Sequence, residues 1–348
     1  MSKVLDNKCP GCGAAIFFKP SLGKFKCDYC DSEYTAEQLK NMEEINKQEV
    51  VPESEYVSYN CPDCGASIVA DQNTAATFCL YCGNVSIIKS RLSGEFAPSK
   101  LIPFKVEKQQ AIEAFKKLKK GRPLVPKSFV SEKNIEKITG LYIPFWLYDI
   151  KASGGVVAGG TKVKTWISGN TRYTKTDYYR MERSGNMMFE KVPVDGSTRF
   201  SNDIMNSIEP FDYDSLVDYN HAYLSGFLAE KYDVDKEVSF KEAKDRSFNS
   251  ACDVMLDDMK GYTTKSIKSN TLDVSMTNCE YVLLPVWMVN VKYKDKFYLF
   301  AMNGESGEFI GDIPLDKRKG VIIGIFVFIV AFIFSVLVSY LLFRIGGN

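Results

Sequence analysis

Eight cysteines carry the chemistry of this sequence, and their spacing says what that chemistry is. Cys9, Cys12, Cys27 and Cys30 form two Cys-x-x-Cys pairs around a 14-residue loop, and Cys61, Cys64, Cys79 and Cys82 repeat the pattern 52 residues on. Pro10/Pro62, Gly13/Gly65, Ala14/Ala66, Ile16/Ile68 and Tyr29/Tyr81 match at the same offset, so the two segments are copies of one unit. Two Cys-x-x-Cys turns supply four thiolates to a tetrahedral Zn²⁺, with no ligand position left open for catalysis. Two structural zinc ions are therefore expected, one per copy. Iron is the rival metal, but the loop is shorter than rubredoxin's. A thioredoxin-like redox role needs a strand–helix context that neither pair has. Glycine after the second cysteine of a knuckle lets the chain turn back at positive φ. Strands are expected over 15–19 and 24–27, joined at Ser21-Leu22-Gly23.

Thiols kept for metal imply a reducing compartment. Lys3, Asp6 and Lys8 stand where a secretory apolar stretch would be needed, which agrees. At the other end, 321–343 is a run of 23 residues without a charge. As a helix it would extend about 34 Å, enough for a bilayer core. Lys317, Arg318 and Lys319 precede it against Arg344 alone after it, which places the preceding chain in the cytoplasm. The expectation is a single-pass cell-membrane protein with its N-terminal region cytoplasmic, held by a tail anchor in the lipid bilayer. Gly320-x-x-x-Gly324 would let two such helices approach in a homo-oligomer.

The rest divides into a zinc ribbon at 1–34, a helical linker at 35–57, a second ribbon at 58–88, a linker at 89–100 and an α+β domain with an antiparallel sheet at 101–319. Thr35 with Gln38 makes a capping box for a short helix over 35–49. Amphipathic helices are expected over 106–120, with Ala111, Ile112, Phe115 and Leu118 on one face, and over 236–262. The second has Phe240, Ala243, Ser247, Ala251, Met255 and Met259 on one stripe, with Cys252 beside it as a small buried hydrophobe. Residues 154–192 alternate in polarity, as a twisted sheet with exposed faces would. LYIPFWLYDI (141–150) and VLLPVWMVNV (282–291) resemble each other, Pro144 matching Pro285 and Trp146 matching Trp287, which raises an internal duplication.

No enzyme is expected. His221 is the only histidine and lies beside no nucleophile, and GGVVAGG (154–160) lacks the pattern of a phosphate loop. Net charge is +1 overall. Residues 1–92 hold nine Lys/Arg against twelve Asp/Glu, which disfavours nucleic acid. Lys19, Lys24 and Lys26 would have to supply any patch for it, so a membrane-tethered nucleic-acid binder stands as the alternative to a protein adaptor.

CPGCG…CDYC and CPDCG…CLYC, followed by LIPFKV, YIPFWLYDI, FEKVPVDGS, IEPFDY, LLPVWMVNV and FAMNGESGEFIGDIP, resemble the bacterial TFIIB-type zinc-ribbon membrane proteins. The resemblance runs from Cys9 to about Pro314. It implies that the eight cysteines are zinc ligands and that no catalytic residue carries over. The primosomal-helicase-like label often attached to such proteins is unsupported here, because helicase ATPase motifs are missing. Some relatives are encoded beside SPFH-domain and phage-shock-type proteins, which implies such a partner and a membrane-stress role.

Overall fold

The computed structural model describes residues 4–5, 9–43, 56–60, 67–71, 74–78, 85–88, 97–117, 120, 122–126, 129, 138–293, 296–311 and 313–346. Strand β1 (Val4–Leu5) precedes the first cysteine module. There β2 (Ile16–Lys19) and β3 (Lys24–Cys27) form the expected hairpin, with β4 (Glu33–Tyr34) on the free edge of β3. Helix α1 (Ala36–Glu43) follows. Its capping box is made: Thr35 N donates to Gln38 Oε1 (2.8 Å) and Gln38 N to Thr35 Oγ1 (3.4 Å).

Of the second module only the strands are described: β5 (Tyr56–Asn60) with β6 (Ser67–Asp71), then β7 (Thr74–Phe78) with β8 (Val85–Ile88). The body begins with β9 (Lys100–Leu101) and α2 (Lys108–Lys117), and then a long hairpin, β10 (Thr139–Ser168) and β11 (Thr171–Asp195). After α3 (Asn202–Ser207), β12 (Val217–Asp218) and β13 (Leu228–Glu230) comes α4 (Lys236–Asp258). Strands β14 (Thr264–Asn270), β15 (Asp273–Tyr293), β16 (Lys296–Asn303) and β17 (Phe309–Gly311) lead to the C-terminal helix α5 (Lys317–Gly346). Among the described residues, twelve strands make one largely antiparallel sheet, and β7 of the second module joins it by pairing with β13.

The repeated segments explain the body. They are neighbouring antiparallel strands, and Ile143 of β10 lies opposite its own counterpart, Leu284 of β15. A local two-fold axis passes between them, and the surroundings obey it. Short β13 pairs parallel with β10 at Leu141–Tyr142, and short β9 pairs parallel with β15 at Val282–Leu283. Phe145 faces Asp195 of β11 where Val286 faces Asn303 of β16. Trp146 Nε1 donates to Val234 O (2.9 Å) and Trp287 Nε1 to Val106 O (3.0 Å), each carbonyl two residues before a helix. Gly196 N donates to Pro144 O and Gly304 N to Pro285 O, both at 2.8 Å. In turn Gly196 O accepts from Asp233 and Val234, and Gly304 O from Lys105 and Val106. The body is thus two β-α-β-β units, each lending its short first strand to the long strand of the other.

Both faces of the central strands are buried, which is why 141–150 reads as one apolar run. Tyr142, Trp146, Tyr148 and Ile150 enter one cluster, while Leu141, Ile143, Phe145 and Leu147 enter another with Met205 and Phe211. Helix α4 buries Ala243, Ser247, Ala251, Cys252 and Met255 as expected. It stops at Asp258 rather than Tyr262, because Gly261 turns the chain at φ +83° and sends Tyr262 against the ring of Tyr179. Helix α2 buries Ala111 and Phe115. Gly154 and Gly155 are no phosphate loop: they lie in β10, and a Cβ on Gly154 would stand 2.3 Å from Thr271 O.

Candidate metal centre and the surfaces around it

The first module brings its four cysteines together. Their Sγ atoms all lie within 4.8 Å of one another, with Cys9–Cys30 and Cys12–Cys27 each at 3.5 Å. Four thiolates about 2.3 Å from a tetrahedral ion sit about 3.8 Å apart, so the donor set fits a metal of that size. The backbone makes the two knuckles alike. Gly13 N donates to Cys9 O (2.8 Å) and Asp31 N to Cys27 O (2.9 Å), and Gly13 and Asp31 both take positive φ, +76° and +59°. Burial pushes the Cys9 thiol up, but the N–H groups of Cys12 and Gly11, with Tyr34 and Cys30, outweigh it and bring it down to about 6. Cys30 is lowered mainly by Ser32, whose hydroxyl lies 3.2 Å away. Cys61, Cys64, Cys79 and Cys82 lie outside the described residues.

The module has no core of its own to speak of and borrows one. Ile16, Phe18, Phe25 and Leu39 belong to the same buried cluster as the body's Leu101, Phe104 and Tyr142. Tyr223 supplies the contact, its ring centroid 5.1 Å from Phe18 and 5.3 Å from Phe25. Asn220 fixes the seam: its Nδ2 donates to Ala36 O (3.1 Å), while its Oδ1 accepts from Ala222 N (2.9 Å). Sequence reasoning missed both residues. Asn220 opening a turn in DYNHAYLSG was the available signal; the neighbouring His221 packs its ring 4.9 Å from that of Tyr219.

What the module turns outward is different. Tyr29, in the second knuckle, is 83% exposed, and Leu22 at the hairpin turn is 46% exposed. The three lysines considered for nucleic acid are each ion-paired: Lys19 with Asp28 (3.2 Å), Lys24 with Glu33 (3.4 Å) and Lys26 with Asp31 (3.0 Å).

At one buried polar position the two body units differ in charge and in hydrogen bonding. Asn303 is satisfied, Nδ2 donating to Ile208 O and Pro210 O, and Oδ1 accepting from Glu305 N and Ser306 N. Its counterpart Asp195 is buried with Oδ1 unpartnered among the described residues. Burial, helped by the charge of Glu242, pushes its carboxyl from 3.8 up to about 6. A raised carboxyl holds its proton more tightly folded than unfolded, so its stabilisation is lost as pH climbs through that window. Asp195→Asn is expected to add about 1–2 kcal/mol at pH 7.5 and little at pH 4. Urea melts at both pH values check this, and an equal gain at both would contradict it.

Over 319 residues the chain is 35% identical to the uncharacterized protein YdjG of Bacillus subtilis (strain 168), covering 91% of this chain and 92% of that protein. The chain belongs to the YdjG family. The match is longer than the body alone and so takes in residues outside it. No family model matches the chain, and no solved structure matches it. In this YdjG-family protein α5 completes the picture. It is long and apolar enough to cross a membrane, and Arg318–Val338 is 0% buried against the body.

Proposed function

We propose that this chain is a non-enzymatic, membrane-anchored zinc-ribbon adaptor of the TFIIB-type ribbon class, recruiting a cytosolic protein to the cell membrane. One observation carries the reading: α5 leaves the body with Val321, Ile322, Phe326, Phe328 and Phe334 all exposed. A helix apolar all round needs an apolar solvent. The lysines and arginine that open it favour an orientation with body and cysteine modules in the cytoplasm. There each module holds one structural zinc, the second through Cys61, Cys64, Cys79 and Cys82. The docked first module presents a fixed surface, and Tyr29 is a large exposed aromatic on it. Aromatic side chains of this kind anchor protein interfaces. An SPFH-domain or phage-shock-type partner, in a membrane-stress setting, is the occupant that the resemblance suggests.

Deleting the modules would uncover Tyr223, which packs on Phe18 and Phe25, so the test is a surface substitution. Tyr29→Ala with Leu22→Asp is expected to reduce crosslinked partner recovered from membranes at least ten-fold, with the chain still in the membrane fraction. Unchanged recovery would remove the first module from recruitment. The nucleic-acid alternative at this module finds less support, since Lys19, Lys24 and Lys26 are already neutralised by neighbours.

A further inference from the structure

The local two-fold axis exposes an addition. In the second unit β15 and β16 run 21 and 8 residues, while in the first β10 and β11 run 30 and 25. Thr161 is the last residue of β10 opposite β14. Beyond it the hairpin continues as a two-stranded arm, Lys162–Ser168 paired with Thr171–Asp177, tied to the body at its base where Val163 N donates to Thr263 Oγ1 (3.1 Å). The fold does not need this arm, because its sibling unit closes without one.

The arm has a composed face. Register places Lys162 opposite Asp177, Lys164 opposite Lys175 and Trp166 opposite Tyr173, all on one side. The Trp166 and Tyr173 rings stack, with centroids 5.5 Å apart and planes at 14°, yet remain 49% and 45% exposed. Next to the body, Lys162 Nζ lies 5.3 Å from the Tyr179 ring and 5.0 Å from that of Tyr262. From Lys162 to Lys175 there are four basic residues and no acidic one. Lys175 pairs with Asp177 (3.1 Å); Lys164 on this side, and Arg172 on the other side opposite Ile167, have no ion pair among the described residues. This reverses the situation on the first cysteine module, where all three lysines are paired.

We infer that the arm, residues 162–177, is a binding strip for single-stranded nucleic acid. Cations along a ribbon take phosphates and release their counterions, and exposed aromatic rings take bases whatever their identity. Two other occupants fit less well. A second copy of the arm would set like charges against each other. The protein's own bilayer lies at the wrong end, a point that rests on α5 being the anchor. Strand β17, which leads to α5, reaches Phe300 with Gly311, level with Val289 and so beyond Thr139, the first residue of β10. The arm is the last part of β10, up to about 100 Å away along a 30-residue strand.

Full-length protein in nanodiscs of neutral phosphatidylcholine, titrated with fluorescent dT12, tests this by anisotropy. Binding is expected with a slope of log K against log salt of about −2, from about three phosphates, one for each lysine on the aromatic side. Trp166→Ala with Tyr173→Ala weakens it roughly five-fold or more without changing that slope. Lys164→Ala with Lys175→Ala makes the slope shallower by about 1.4. Absence of binding at 50 mM salt (on the order used for weak polyanion contacts), or binding indifferent to the arm variants, overturns the inference. Capture of phosphatidylglycerol vesicles through the arm, with dT12 ignored, also overturns it in favour of a lipid surface. The adaptor reading is judged separately, by the Tyr29 variant, so failure of one leaves the other standing.

Discussion

Replacing Cys27 by serine is expected to destabilise the body as well as the first module, by about 4–6 kcal/mol. The cysteine is fully buried and closes the hairpin at Ile16, its cross-strand neighbour. Without four thiolates the module loses metal-binding free energy that, for units of this kind, is on the order of 10 kcal/mol and is itself the folding free energy. An unfolded module cannot keep Ile16, Phe18 and Phe25 in the shared cluster. Each apolar side chain withdrawn contributes about 1.5–3 kcal/mol, and Tyr223 and its neighbours are uncovered as well. Urea unfolding followed through the buried indoles of Trp146 and Trp287 reads the effect on the body alone, since the first module has no tryptophan. An unchanged midpoint would mean that the module merely rests on the sheet.

Trp146→Ala and Trp287→Ala are each expected to cost about 3–5 kcal/mol, and Trp166→Ala less than about 0.5 kcal/mol. Truncating a buried tryptophan leaves a large cavity, and here it also strips an N–H from a buried seam. Trp287 packs against Phe104 and Phe227 at 5.1 and 5.9 Å, and Trp146 against Tyr232 and Tyr281 at 4.8 and 5.4 Å. Each indole also ties its strand to the carbonyl that precedes a helix, so α2 and α4 both lose their entry contact. The near-equality of the two losses follows from the two-fold relation, and denaturant melts of the three variants measure it. A loss at one indole more than three times that at the other would show that the symmetry is geometric only.

Where physics leaves a local signature, the sequence was readable. The knuckle spacing, the Ser21-Leu22-Gly23 turn, the Thr35/Gln38 capping box and the stripe of α4 all involve residues within a few positions of one another. The pairing of the two proline–tryptophan segments was visible as a short likeness. Its extent was hidden, because the symmetry is held largely by backbone groups. The carbonyls of Gly196 and Gly304 do the same work in DGS and NGES, whose side chains differ. Docking of the first module was hidden for a related reason. Phe18 and Phe25 read as the interior of a small hairpin, and nothing nearby announces that Tyr223, some two hundred residues on, completes that interior. The arm was legible as alternating polarity, yet that it is an addition to the unit shows only against the shorter sibling hairpin.

Metal content of the chain held in carbonate-washed membranes tests the central claim most directly. The account predicts that full-length protein stays in the pellet with two zinc ions per chain, falling to one with Cys27→Ser while the chain remains in the pellet. Chain released by the wash would remove α5 as an anchor, and a pellet fraction without zinc would remove the metal from both modules.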